Sequence, residues 1–180
     1  MLINASGPLS ADVSNKLLSE AQHVQGYYLR TTWCFYRNCG GVLSDTVIPS
    51  MDGKYEMGLR CTGDGGVVIG PLHEWVEDGY DNGTDESSLE KLREHLKTHI
   101  PESSGWQFGG SRCDIEFRHE KTLDSVSPVI KTVEGYENFV SVAQTEQLSY
   151  EESLEIADEV DALLYAKQPK KEKKGLFGLW

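Results

Sequence analysis

Residues 112–118 read Arg-Cys-Asp-Ile-Glu-Phe-Arg, with Cys113, Ile115 and Phe117 at one parity and Arg112, Asp114, Glu116 and Arg118 at the other. A repeat of two sends successive side chains to opposite sides, so this stretch specifies a strand with one apolar and one charged face. Such a strand needs partners, and the sequence offers several. The run at 27–37, Tyr-Tyr-Leu-Arg-Thr-Thr-Trp-Cys-Phe-Tyr-Arg, is dense in the aromatic and β-branched residues that suit a pleated surface. Asn38-Cys39-Gly40-Gly41 is a turn signal after it, and 42–48 reads as the returning strand of a hairpin. Asp52-Gly53 and Gly63-Asp64-Gly65-Gly66 punctuate short strands at 54–61 and 67–70, while 129–133 and 138–143 flank Glu134-Gly135 as a further hairpin.

Helical spacing interrupts these runs three times. Ser10 is placed to cap a first helix whose stripe is Val13, Leu17, Leu18, Ala21 and Val24, ending at Gly26. Ser87 and Glu90 have capping-box spacing ahead of a second, with Leu89, Leu92, Leu96 and Ile100 on one face and Pro101 as its stop. Ser149 and Glu152 repeat that box before a third, which runs to about Ala166 and is expected to bury Ile156, Ala157, Val160, Leu163 and Leu164. The polar stretch 71–87 reads as a connection. Together these features predict an α+β fold: a single antiparallel sheet of about five to seven strands, with an N-terminal, a middle and a C-terminal helix packed on it. At 180 residues this is one domain, 1–166, followed by a tail at 167–180.

Metal and catalytic patterns are incomplete. Cys34 and Cys39 make one loose pair, whereas structural zinc sites pair tight knuckles twice, so Cys34, Cys39, Cys61 and Cys113 read as thiols. His95 and His99 share a helix face, but Leu96 stands where a zinc protease helix carries glutamate. A calcium loop counted from Asp78 has Gly83 at its sixth position, yet Tyr80 and Leu89 occupy the third and twelfth, where carboxylates belong. The Thr62–Gly66 stretch lacks the Lys-Ser/Thr ending of a phosphate loop and falls between strands. No metal or cofactor is expected. A thiol and imidazole pocket using Cys113 and His119, beside the aromatic strand, is the enzymatic alternative.

Charge carries the main functional expectation. The formal net charge is -12, but 167–180 hold five lysines against one glutamate, leaving -16 on residues 1–166. Such a body repels phosphate backbones, so direct nucleic-acid binding is not expected and a basic protein surface is the favoured partner. Glu151, Glu152, Glu155, Asp158, Glu159 and Asp161 crowd the last helix with no basic residue spaced to neutralise them, a repulsion that a basic partner relieves. The tail joins Lys170, Lys171, Lys173 and Lys174 to Phe177 and Trp180, combining long-range attraction with aromatic anchors. Gly175–Gly178 spell Gly-Leu-Phe-Gly, which resembles the repeat unit of nucleoporins in a single copy, and 169–174 resemble a nuclear localisation signal. Neither assigns the chain to a family.

The expectation is therefore a non-catalytic acidic binding protein of the inhibitor, immunity, adaptor or chaperone kind. Its partner surface comprises Glu151, Glu152, Glu155, Asp158 and Glu159, the loop from Glu74 to Glu86, and the tail as an auxiliary docking segment. Alternatives are a small enzyme or ligand-binding protein and a DNA-mimic inhibitor of a nucleic-acid-binding protein. The opening residues lack a basic and apolar leader, which predicts a cytoplasmic location, with weak peripheral membrane contact through the tail as a secondary expectation.

Overall fold

The computed structural model describes residues 2–40, 58–124, 128–143 and 149–166. In chain order the elements are β1 (Leu2–Asn4), α1 (Ser10–Asn15), β2 (Tyr27–Arg37), β3 (Gly58–Cys61), β4 (Val67–Val76), α2 (Glu86–His99), β5 (Gln107–Arg118), β6 (Val129–Val133), β7 (Tyr136–Ala143) and α3 (Tyr150–Ala166). The α+β class stands, but the single antiparallel sheet does not. Four strands form an antiparallel sheet ordered β3-β4-β2-β5, and three form a second sheet ordered β1-β7-β6, in which β1 runs parallel to β7. The expected strand at 42–48, like the first residues of the one expected at 54–61, lies outside the described residues.

Two sheets form because β5 does not hand on to the β6–β7 hairpin. Arg118, expected on a wet face, is buried at the end of β5, donating from Nη1 to the Asp124 carbonyl at 2.8 Å and from Nη2 to Glu116 at 2.7 Å. Those bonds tie the residues just after β5 back to its end. The hairpin turns through Gly135 at φ +82°, and β7 takes β1 as its other neighbour, Leu2 facing Phe139 and Asn4 facing Ser141. Three residues are too few to display an alternation, which is why β1 is silent in the sequence.

β4 runs on to Val76 where the sequence suggests a stop at Gly70. Thr32 faces Leu72 and Cys34 faces Ile69, so Gly70 and Pro71 together oppose Trp33 in a bulge. A bulge is where a strand tolerates a residue with no backbone N–H, and beyond it the ladder resumes. Gly70 sits at φ +142°, and a Cβ there would lie 2.8 Å from both the Thr32 carbonyl oxygen and the Trp33 ring.

α1 is also shorter than its apolar stripe implies. It stops at Asn15, whose side chain accepts from the Val24 N–H at 2.6 Å and donates to the Val24 carbonyl at 3.0 Å, clamping the 16–24 segment in a separate path. α2 is capped by Asp85, which accepts from Ser88 N–H at 2.7 Å; Ser87 only donates to that carboxylate. Leu89, Leu92, Leu96 and Ile100 pack against Cys34, Tyr36, Leu59, Val67, Ile69 and Leu72 to form the main core. A smaller cluster of Ala11, Phe117 and Ala143, with Val24 and Tyr28, joins the two sheets. α3 departs most from expectation. Its capping box forms, with Ser149 N–H donating to Glu152 at 2.7 Å and Glu152 N–H to Ser149 Oγ at 3.2 Å. Yet Ile156, Val160, Leu163 and Leu164 are only half-buried, Ala157 is exposed, and Tyr150, Leu154 and Tyr165 face solvent. No helix among the described residues is long and apolar enough to cross a membrane.

Candidate functional site

The acidic connection after β4 does not face outward as a unit. Arg30, in the middle of β2 and 8% exposed at its side chain, gathers it: Nη2 meets Glu74 at 3.2 Å and Asp85 at 2.6 Å, and Nη1 meets Asp81 at 3.2 Å. The Gly83 carbonyl lies 3.4 Å from Nη1, and Ser88 Oγ donates to Glu74. Glu74 also takes Lys91 at 2.5 Å. Burial alone would raise the Glu74 carboxyl, but donation from Lys91, Ser88 and Arg30 outweighs it and holds the group below its usual value. Asp85 is held well below the usual carboxylate range, first by the Ser88 N–H and then by Ser87. The guanidinium is thus the cation that Glu74, Asp81 and Asp85 share. Arg30 shares the parity of Cys34 and Tyr36 in an otherwise uncharged stretch of β2, which is the sequence signal that marks it.

The candidate docking site lies on α3. Glu152, Glu155 and Glu159 follow one another at three and four residues, which puts them on one helix face, and Ile156 falls between them. Together with Pro128, Val129 and Ile130 at the start of β6 they line a groove of about 440 Å³. Its floor is apolar and its helical wall acidic. The Ser149 N–H holds the Glu152 carboxyl below its usual value. Glu151 and Asp158, also expected at the site, are exposed and do not line this groove. Lys170, Lys171, Lys173, Lys174, Phe177 and Trp180 lie outside the described residues.

The enzymatic alternative loses its geometry. Cys113 is beside Thr32 in the sheet and His119 lies six residues on, about 20 Å along extended chain. Burial pushes the Cys34 thiol up to about 11 and raises Cys39 and Cys113 as well, which disfavours thiolate at neutral pH. His95 and His99 stack at 4.4 Å between ring centres, with His99 Nδ1 2.9 Å from the His95 carbonyl oxygen, the arrangement of a helix C-terminus.

No protein-family model and no curated protein matches this sequence. Solved structures of similar fold do exist. An L-alpha-glycerophosphate oxidase from Mycoplasma pneumoniae, determined with FAD bound, superposes with a TM-score of 0.68 at 17% identity over 91% of this chain and 42% of that one. A glycine oxidase from Geobacillus kaustophilus gives 0.64 at 16% over 89% and 41%, and an L-proline dehydrogenase from P. horikoshii gives 0.58 at 15% over 94% and 44%. The chain spans less than half the length of these proteins, and at such identity the likeness is one of fold.

Proposed function

We propose that this chain is a non-catalytic acidic binding protein that seats a basic, partly apolar segment of a protein partner in the groove between α3 and β6. The observation that carries this reading is the convergence of Glu152, Glu155 and Glu159 on one side of an apolar floor made by Ile156, Val129 and Ile130. Carboxylates at the wall steer a lysine- or arginine-rich segment, and the floor takes its apolar residues. The half-buried face of α3 supports the same reading, because a partner completes its burial. The tail with Phe177 and Trp180 serves as an auxiliary contact, and the cytoplasm is the proposed location.

The described residues do not fit a flavin dinucleotide of the kind bound in the glycerophosphate oxidase structure. Dinucleotide pyrophosphates sit where a glycine-rich turn opens a helix with free N–H groups. In this chain the glycine-rich turn joins β3 to β4 as a hairpin, and Asp64 itself accepts from Gly66 N–H and Thr62 Oγ1. The first turns of α2 and α3 are likewise engaged by Asp85 and Ser149.

The test is capture from source-cell lysate with the full chain, with Glu155→Lys/Glu159→Lys, and with a chain ending at Ala166. A partner held by the wild type, lost on charge reversal and released by added salt supports the groove. A partner retained equally by the charge-reversed chain, or indifferent to salt, refutes it. Loss on truncation alone transfers recognition to the tail.

A further inference from the structure

We propose that a second, separate cavity, enclosed by α1, the 18–25 segment and the β6–β7 hairpin, is a binding site for a small organic anion: an apolar body of roughly six to eight carbons ending in one carboxylate. The cavity has a volume of about 170 Å³, close to that of an engineered apolar cavity of about 150 Å³ that accepts benzene. Leu18, Val129, Val133 and Ala143 supply its apolar wall.

The polar part of the lining is unusual in two ways. Ser10 is 1% exposed, and its hydroxyl finds no hydrogen-bond partner among the described residues. Native chains avoid leaving such a group unmet. The residue is also fixed in place, because its carbonyl accepts from Asn4 Nδ2 at 2.6 Å. A partner for this hydroxyl is most simply supplied from within the cavity that it lines. The second feature is charge. The titratable residues lining the cavity are His23, His119 and Lys131, with no carboxylate among them, in a chain whose net charge is -12. No ionisable group on that lining is acidic.

These groups divide the work. Burial and the nearby Lys131 ammonium lower the His119 pKa, while a hydrogen bond to the Gln25 backbone opposes that shift and orients the ring. The lysine on the lining is Lys131, and Glu120 is the carboxylate that acts on His119 from outside the lining. Buried Ser10 and solvent-exposed Lys131 both line this space, so a carboxylate lodged in it would have a hydroxyl and an ammonium-bearing side chain on its boundary. One lysine and one hydroxyl suit a monoanion; phosphate, with more acceptors and no apolar body, is a poor match.

The full chain is titrated with hexanoate, hexanol, hexylamine and inorganic phosphate, with binding followed by calorimetry and by methyl NMR shifts. Hexanoate is expected to saturate below about 10 mM, shifting the methyls of Leu18, Val129, Val133 and Ala143, with hexanol about tenfold weaker. Hexylamine and phosphate leave those methyls unmoved. Lys131→Gln brings hexanoate down towards hexanol and leaves hexanol unchanged. Ser10→Ala keeps or raises the thermal midpoint, since it removes an unmet donor, and weakens hexanoate several-fold. Shifts that stay linear to about 10 mM, the mark of a cavity that only holds solvent, overturn the proposal. So does hexanol binding as tightly as hexanoate, or Lys131→Gln binding hexanoate as the wild type does. None of these outcomes depends on the α3 groove.

Discussion

Replacing Arg30 by methionine tests what organises the chain between β4 and α2. The side chain is 8% exposed and contacts carboxylates that are 17% (Glu74), 51% (Asp81) and 46% (Asp85) exposed. Removing one partner of a buried ion pair costs about 3–5 kcal/mol, because the other charge is left uncompensated. Here only Glu74 is deeply placed, and it keeps Lys91. Asp81 and Asp85 return to water, where exposed pairs contribute little. The loss is therefore set at about 3 kcal/mol, the lower end of that range. For a domain of this size the urea slope is roughly 2 kcal/mol per molar, so the midpoint of unfolding, followed by tryptophan fluorescence, falls by about 1.5 M. Adding Glu74→Gln to the same chain recovers part of that loss, since the buried carboxylate left with Lys91 as its one cation is then neutral. Arg30→Lys does not rescue, because one ammonium cannot replace a planar fork that spans three acceptors. A midpoint shift under about 0.5 M for Arg30→Met refutes the reasoning.

Three further outcomes follow from features already described. Gly70→Ala forces a side chain into φ +142° and against Trp33 and the Thr32 carbonyl, and should cost about 2–3 kcal/mol by the same urea assay. Stability should fall on acidification: His119, lowered in the fold, begins to penalise it as pH drops below about 6.5, and Glu74 and Asp85, also lowered, add theirs as pH falls below about 4, so unfolding midpoints measured from pH 7 to 3 decline in two stages. Cys34 and Cys39 should react with a thiol reagent at pH 8 only on unfolding, so a fast phase of labelling in the folded protein cannot be theirs.

The elements that were legible in the sequence are those whose own residues carry the period. The alternation at 112–118, the Leu89-Leu92-Leu96-Ile100 face and the two strands around Gly135 all correspond to elements of the fold. What escaped is set by contacts between distant residues. The Asn15 bridge to Val24 ends a helix that the apolar stripe would extend, and the Arg118 bond to Asp124 separates two sheets that strand propensity alone would merge. Half of the candidate groove was readable from helical spacing, as Glu152, Glu155 and Glu159 share a face with Ile156. Its other half was not, because Pro128, Val129 and Ile130 come from a strand that no local rule assigns to α3. Ser10 illustrates the same limit, since its spacing suggests a helix cap and its surroundings make it a buried hydroxyl.

Val129 lines both the acidic groove and the cavity beneath the hairpin. A side chain that borders two open spaces cannot shift towards one without withdrawing from the other. Were both spaces filled, a shift of Val129 would link their occupants, and thermodynamic reciprocity would make the effect equal in both directions. Val129→Ala would loosen that connection while leaving the carboxylates on one side and Lys131 on the other untouched, which makes the β6 strand the natural lever for separating two equilibria within one small domain.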